Sequence, residues 1–463
     1  MRARLIFGVA AAVCAAGLLA GCGGSSGAGS GSATIGAGAS VAPADAVAFV
    51  AVDTDVSSSQ WQAVNNLLQK FPSHDALMTK LEQSFTQKTT LSWADDVKPA
   101  LGPELDLVVL PAAANGKPEL VGLVQPGDSG KLDALLQKLG ASHGKTFVTA
   151  QVGGWTAVAG SQAALDAVSG ATAHLSDSNT YQDATAKLSG DALASVYANG
   201  TEAHQLLGSL GKSLPTPTAS AQLQWVSADV VATSGGVKID GFVRTQGGSA
   251  PTTPYASALV SKIPSGALLV ADFDAAAAKA RATGPLSTLA GSLGGETAFY
   301  VSPGEPIPSI TLVTHPADPT AAADALDKAF AGLGSGTSSG SSPLGGLGAI
   351  LGSLHLYHAI DGGTLIASTS QQAIADFQGG GQKLADDGSF KDATSAASMP
   401  AETDGFVYVD LAKSLPLVEG LAGLMGAKLP AGIQDDLAPL HSVVAYATTS
   451  GDETSFTVFV AVE

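Results

Sequence analysis

Residues 43–55 read PADAVAFVAVDTD, and residues 264–276 read PSGALLVADFDAA. Each is a Pro-led turn entering a short apolar, β-branched run that stops at aspartate, which reads as a β-strand. The two stretches open a longer correspondence. LGPELDLVVLP (101–111) answers LGGETAFYVSP (293–303), and PELVGLVQPGDSGKLDALLQKL (118–139) answers PSITLVTHPADPTAAADALDKAF (308–330). GWTAVAGSQAALDAV (154–168) pairs with GTLIASTSQQAIADF (363–377), TYQDAT (180–185) with SFKDAT (389–394), and SVYANG (195–200) with FVYVDL (406–411). VVATSGGVKIDGFVRT (230–245) closes the first set as AYATTSGDETSFTVFVAV (445–462) closes the second. Blocks in one order imply two tandem homologous units, 43–247 and 263–463, separated by the loop residues GGSAPTTP.

The same blocks give a fold for each unit. Residues 129–139, 161–169 and 200–210 carry apolar positions three and four apart, the helical period, as does SSSQWQAVNNLLQKF in the first unit. Asp128 and Asp318 stand at helix starts, Pro319 takes a first-turn position, and Gly140 is expected to close a helix. Short turns at Asn115-Gly116 and Gly235-Gly236 join successive strands. The expectation is an α+β unit, a mainly antiparallel sheet with helices packed on one face. The Gly/Ser-rich tract GLGSGTSSGSSPLGGLG at 332–348 reads as a loop.

The chain opens MRARLIFGVAAAVCAAGLLAGC. Arg2 and Arg4 precede an uncharged apolar run too short for a comfortable membrane span, the form of an export signal. Leu19-Ala20-Gly21-Cys22 resembles the lipobox of bacterial lipoproteins, in which a diacylglyceryl group joins the cysteine sulfur and the signal is removed just before it. The expectation is a signal over 1–21 and a lipid on Cys22, which places the protein on the extracytoplasmic face of a cell membrane. Residues 22–42 then read as the lipidated cysteine and a flexible tether of Gly, Ser and Ala, with a root-mean-square span of roughly 25 Å.

Composition narrows the chemistry. Of the two cysteines, Cys14 would leave with the signal and Cys22 would carry lipid, so disulfides and thiolate metal sites are not expected. With 22 Lys+Arg against 40 Asp+Glu the net charge is −18, and no basic cluster offers a nucleic-acid surface. There is no phosphate loop, dinucleotide fingerprint or H-E-x-x-H helix, so no cofactor is expected.

The opening PADAVAFVAVD, Phe71-Pro72 after the first helix, the W-x-x-D-V-x-P-x-L-G of Trp93 to Gly102 and a later F-x-D together resemble a family of bacterial exported proteins known only as domain of unknown function 3352. The resemblance implies an extracytoplasmic protein without an assigned activity, and it supplies no catalytic residues to carry over.

Individual residues offer few alternatives. Asp53 and Asp55, with Asp272 and Asp274, form D-x-D pairs that could ligate a divalent cation or simply cap the next segment of chain. Gly127-Asp128-Ser129-Gly130 has the letters of a serine-protease nucleophile segment, yet it sits where a helix begins. His355 and His358 lie three apart on an expected strand and so face opposite sides. Trp61, Trp93, Trp155 and Trp225 would be core or the lining of an apolar or sugar-binding groove. The leading expectation is a non-enzymatic binding or scaffold protein of the cell envelope, with an envelope protein or lipid as partner. The alternatives are a carrier of a hydrophobic lipid or glycolipid and an envelope polymer hydrolase. The last needs convergent carboxylates, which spacing alone does not locate.

Overall fold

The computed structural model describes residues 35–89, 91–112, 118–209, 222–247, 253–277, 291–304, 307–335, 355–415, 435 and 437–463. The signal at 1–21, Cys22, the Asn115-Gly116 turn and most of the 332–348 tract lie outside them. Helices accompany antiparallel sheet in a mixed α+β architecture, and the chain divides into two compact units, one running to Gly247 and the other over 248–461.

In unit 1 the strands are β1 (Ala48–Asp53), β2 (Glu104–Ala112), β3 (Pro118–Val124), β4 (Val148–Val152), β5 (Trp155–Ala159), β6 (Ala194–Asn199), β7 (Gln222–Thr233) and β8 (Gly236–Gln246). They lie in the order β4-β5-β3-β2-β1-β6-β7-β8, with antiparallel neighbours throughout. Unit 2 holds β9 (Leu269–Asp274), β10 (Glu296–Ser302), β11 (Ser309–Thr314), β12 (Tyr357–Asp361), β13 (Thr364–Ser368), β14 (Gly405–Asp410), β15 (Leu440–Ser450) and β16 (Glu453–Val462). Its order is β12-β13-β11-β10-β9-β14-β15-β16. Tight turns set the hairpin registers. Gly153 and Gly154, at φ 55 and 85, join β4 to β5, and Gly362 and Gly363, at φ 54 and 87, join β12 to β13. Two successive positive φ angles match the right-handed twist of the flanking strands and favour glycine.

The sequence led us to expect helices on one face; they lie on both. On β2, Val108 and Leu110 enter a core with Phe49, Trp155, Trp225 and the helix Gln162–Ser169. Leu105 and Leu107 point the opposite way, under Ala100 and under Leu132 and Leu135 of the helix Ser129–His143. Unit 2 repeats the situation: Ile366 of β13 joins the core with Phe377 and Phe390, while Leu365 and Ala367 pack on Ala322, Ala323 and Leu326. The reason is in the central strands, LDLVVL and TLIAS, which are apolar at consecutive positions. Such a strand needs cover on both sides, since a fully buried leucine is worth about 1.5–3 kcal/mol.

Gly140 does not end its helix. That helix continues to His143 and closes at Gly144, whose φ of 60 lets it turn left-handed. Gly140 serves a close approach instead: a Cβ there would lie 2.5 Å from the Lys145 carbonyl oxygen. The expected helix starts are present. Asp128 Oδ1 accepts from the Lys131 amide at 3.1 Å, and Asp318 Oδ1 from Thr320 and Ala321 at 3.0 Å. Ser161 caps the helix Gln162–Ser169 by accepting from the Ala164 amide at 3.1 Å. Ser161→Ala is expected to cost about 1 kcal/mol, seen as a lower urea midpoint at unchanged slope.

Candidate functional site

Carboxylates do converge, at positions the spacing had not singled out. Glu104 and Asp106 are alternate residues of β2 and so share a face, and both are buried. The chain just before β1 lies against them. Glu104 Oε1 accepts from the Gly36 amide at 2.6 Å and the Ala37 amide at 3.0 Å, and Asp106 Oδ2 accepts from the Gly38 amide at 2.9 Å. Beyond these contacts the segment turns as a short 3-10 helix, Ala37–Ser40, and buries Ala39, Val41 and Ala42 in the core.

The tether assigned to 22–42 therefore stops short: from Ile35 onward these residues belong to the folded unit. Their small side chains are what close packing demands. A Cβ on Gly38 would stand 2.0 Å from Asp106 Oδ2 and 3.1 Å from Leu123. Gly36 has a φ of 98, open to glycine and strained for other residues. A run of Gly and Ala reads as coil by composition, yet here it is the composition a tight clamp requires.

Burial raises the Asp106 pKa, and the adjacent Glu104 charge and carboxyl raise it further, to about 9. Asp106 is thus protonated at neutral pH. Its Oδ1 is buried with no other donor nearby, as suits an oxygen holding a proton toward Glu104. The Tyr181 hydroxyl lies beside the clamp and is pushed above its ordinary value, first by burial and then by the Asp106 and Glu104 charges.

Unit 2 holds its own pair. Glu296 Oε1 accepts from the Leu259 amide at 2.9 Å and from Ser257 Oγ at 2.7 Å. Asp272 accepts from Tyr255 Oη at 2.5 Å and Ser257 Oγ at 2.8 Å. Burial, opposed by those two hydrogen bonds, leaves Asp272 raised to about 6. The folded unit thus reaches back to Tyr255, ahead of the boundary expected at 263. In the register of each sheet the second acid changes strand. Asp106 on β2 faces Ala51 on β1, whereas Asp272 on β9 faces Ala298 on β10.

The other sequence candidates resolve locally. Asp53 accepts from Ser58 Oγ at 2.5 Å and the Asp55 amide at 2.8 Å, and Asp55 accepts from Ser57 Oγ at 2.6 Å. These bonds fold the chain into the helix Ser59–Leu68, whose N-cap is Ser58. Burial lifts Asp53 to about 6. Asp274 accepts from the Ala276 amide at 2.7 Å, a turn of the same kind. Among the described residues no three His, Cys, Asp or Glu side chains gather as metal ligands would.

Ser129 opens a helix, as its Asp128 cap requires. His355 precedes β12 and stacks near Tyr357, whereas His358 lies on β12, 3.8 Å from Asp327. The tryptophans do not share a groove. Trp155 and Trp225 are buried on one face of the sheet, Trp93 packs with Phe85 by the other, and Trp61 donates its indole N–H to the Asp53 carbonyl at 2.9 Å.

Shared protons between paired carboxyls are a resource of acid–base catalysis. In this molecule Glu104 Oε1, Asp106 Oδ2, Asp272 and Glu296 Oε1 accept from the chain's own amides and hydroxyls, and Gly38 leaves no room for a substituent atom beside Asp106. What these bonds do in the fold is hold a backbone segment. A weak signal was present in the sequence: E-L-D, two acids on one side of an otherwise apolar strand.

Comparison with solved structures gives partial likenesses to TP0453. Crystal form I aligns with a TM-score of 0.25 at 10% identity, covering 47% of this chain and 82% of that one. Form III gives 0.22 at 9%, covering 45% and 80%, and form IV gives 0.23 at 8%, covering 44% and 78%. At those scores the shared geometry is too partial to transfer fold or chemistry. No curated protein matches the chain. Residues 5–156 match the family described as "Protein of unknown function (DUF3352)". That segment contains β1, β2, β3, β4 and the clamp of Glu104 and Asp106, and over it the chain is similar to that family.

Proposed function

We propose that this chain is a lipid-anchored, non-catalytic binding or scaffold protein on the extracytoplasmic face of a cell membrane, built from two copies of one unit. The observation that carries the non-catalytic reading is the state of the paired acids. Glu104, Asp106 and Asp272 are buried and Glu296 is half-buried, and each of the four is bonded to its own chain, where a hydrolase needs carboxyls open to substrate and water. The duplication is supported by the strand orders, which run in the same sense through eight positions in each unit among the described residues. The clamp adds to it, since each unit opens with a 3-10 turn bonded to a glutamate on its second strand.

The anchor rests on Leu19-Ala20-Gly21-Cys22 after an uncharged apolar run. Two acyl chains hold a protein stably, at about 0.8 kcal/mol per buried methylene. In bacteria fed an alkyne-tagged fatty acid, the wild-type chain is expected to carry the tag and sediment with membranes, and Cys22→Ser to do neither. An untagged wild-type chain, or sedimentation that ignores Cys22, would overturn the anchor. Hydrolysis of envelope polymer by the purified protein, abolished by Glu296→Gln, would overturn the non-catalytic reading.

A further inference from the structure

Strand β4, Val148-Thr149-Ala150-Gln151-Val152, ends the order of the unit 1 sheet, and among the described residues its other side pairs with nothing. The two-residue turn at Gly153-Gly154 makes Val152 and Trp155 a hydrogen-bonded pair. Main-chain groups alternate along an antiparallel strand. Val152, Ala150 and Val148 therefore direct theirs to β5, and Thr149 and Gln151 direct theirs outward. Side chains alternate in step: Val148, Ala150 and Val152 are half-buried against the core, and Thr149 and Gln151 are exposed.

Natural sheets defend such edges with lysine, proline or a bulge. β4 carries no charge and no proline. Among the described residues the end strand of unit 2, β12, differs. β12 has His358 near Asp327 and ends on Asp361, and its Ile360 is 51% exposed.

The residue order of β4 also reads nearly the same from either end. Turned about a two-fold axis at Ala150, a second β4 places Val148 opposite Val152, Thr149 opposite Gln151, and Ala150 opposite itself. Apolar side chains then stay on the core side and polar ones on the open side. The outward N–H and C=O groups of Thr149 meet those of Gln151 in the other copy, giving four hydrogen bonds. A slip of one residue would turn every side chain to the wrong face. The same operation on β12 sets Tyr357 against Asp361 and His358 against Ile360, matching neither polarity nor size. We propose that β4 is a pairing edge for a second copy of this chain, antiparallel about a two-fold axis at Ala150. Interfaces of this self-complementary kind are the commonest in homo-oligomers.

The register makes the proposal testable by thiol chemistry. The full chain carrying Cys14→Ser and Cys22→Ser has no thiol. In that background Ala150→Cys is expected to form a disulfide dimer on mild oxidation. A directly opposed non-hydrogen-bonded pair has its Cα atoms about 4.5 Å apart, within disulfide reach. Thr149→Cys alone, opposite Gln151, is expected to stay monomeric, as is Gln151→Cys alone. An equimolar mixture of those two is expected to yield the mixed disulfide, and because both positions are exposed this arm does not depend on Ala150→Cys folding. Monomers throughout would overturn the proposal, including the case in which a foreign extended segment occupies the edge. Dimers of equal yield from Thr149→Cys and Ala150→Cys would overturn the two-fold register.

Discussion

Asp106→Asn is expected to make unit 1 more heat-stable than wild type at pH 8, with the gain shrinking toward pH 5. The sign comes from linkage. The unfolded chain releases this proton in the ordinary carboxylate range near 3.8, whereas burial and Glu104 hold it in the folded chain to about 9. Folding therefore binds a proton at every pH between those values, and stability falls as pH rises through that window. One proton sets a limiting slope of about 1.4 kcal/mol per pH unit. Asparagine matches the protonated acid in shape: its carbonyl oxygen can accept from the Gly38 amide and its amide can donate to Glu104. It carries no proton to lose, so the alkaline penalty disappears. Melting curves of both proteins at pH 5, 6.5 and 8 check this. A stability difference that does not change with pH would mean that Asp106 is already ionised beside Glu104.

Gly102→Ala is expected to lower the melting temperature of unit 1 by about 6–12 °C. This glycine ends the W-x-x-D-V-x-P-x-L-G stretch, between the short helix Lys98–Leu101 and β2, at φ 78 and ψ −159. Two costs add. A side chain at this φ and ψ, a region open almost only to glycine, is strained by roughly 1–3 kcal/mol. The new Cβ would also sit 1.9 Å from the Gln125 carbonyl oxygen and 2.8 Å from its carbon, a backbone contact that no rotamer change relieves. Together these come to about 3 kcal/mol or more, and a unit of this size shifts by about 2–4 °C per kcal/mol. Gly144→Ala is the control. Gly144 has φ 60 and nothing within 4 Å of its would-be Cβ, so only the strain remains. A loss at position 102 no larger than that at position 144 would show that the close approach to Gln125 is not a constraint.

Local order was legible where one residue's chemistry decides it. The aspartates at 128 and 318 cap helices because a carboxylate satisfies free amides wherever a helix begins. The apolar runs became strands for the same self-contained reason. The cover on both faces was written in LDLVVL and TLIAS, whose consecutive apolar residues the one-face expectation underweighted. Glycine was read less well. At 36 and 38 it was taken for flexibility, and at 140 for a stop signal. In all three places it marks an unusual backbone angle or another chain segment pressing close, and sequence does not show what lies across the gap.

The sequence by itself determined the strands, the helix starts and the block pattern, because these depend on neighbours within a few residues. It also supplied the lipobox-like Cys22 on which the anchor is proposed. Only the tertiary structure decided what the acids do. Glu104 and Asp106 lie about seventy positions from the amides they hold, and their second counterparts, Glu296 and Asp272, come from different strands. Asp106, buried beside Glu104, is pushed toward its protonated form and clamps the backbone, whereas the same letters on an open face would be a charged patch. Sheet register brings those groups together, and register is a property of the folded sheet.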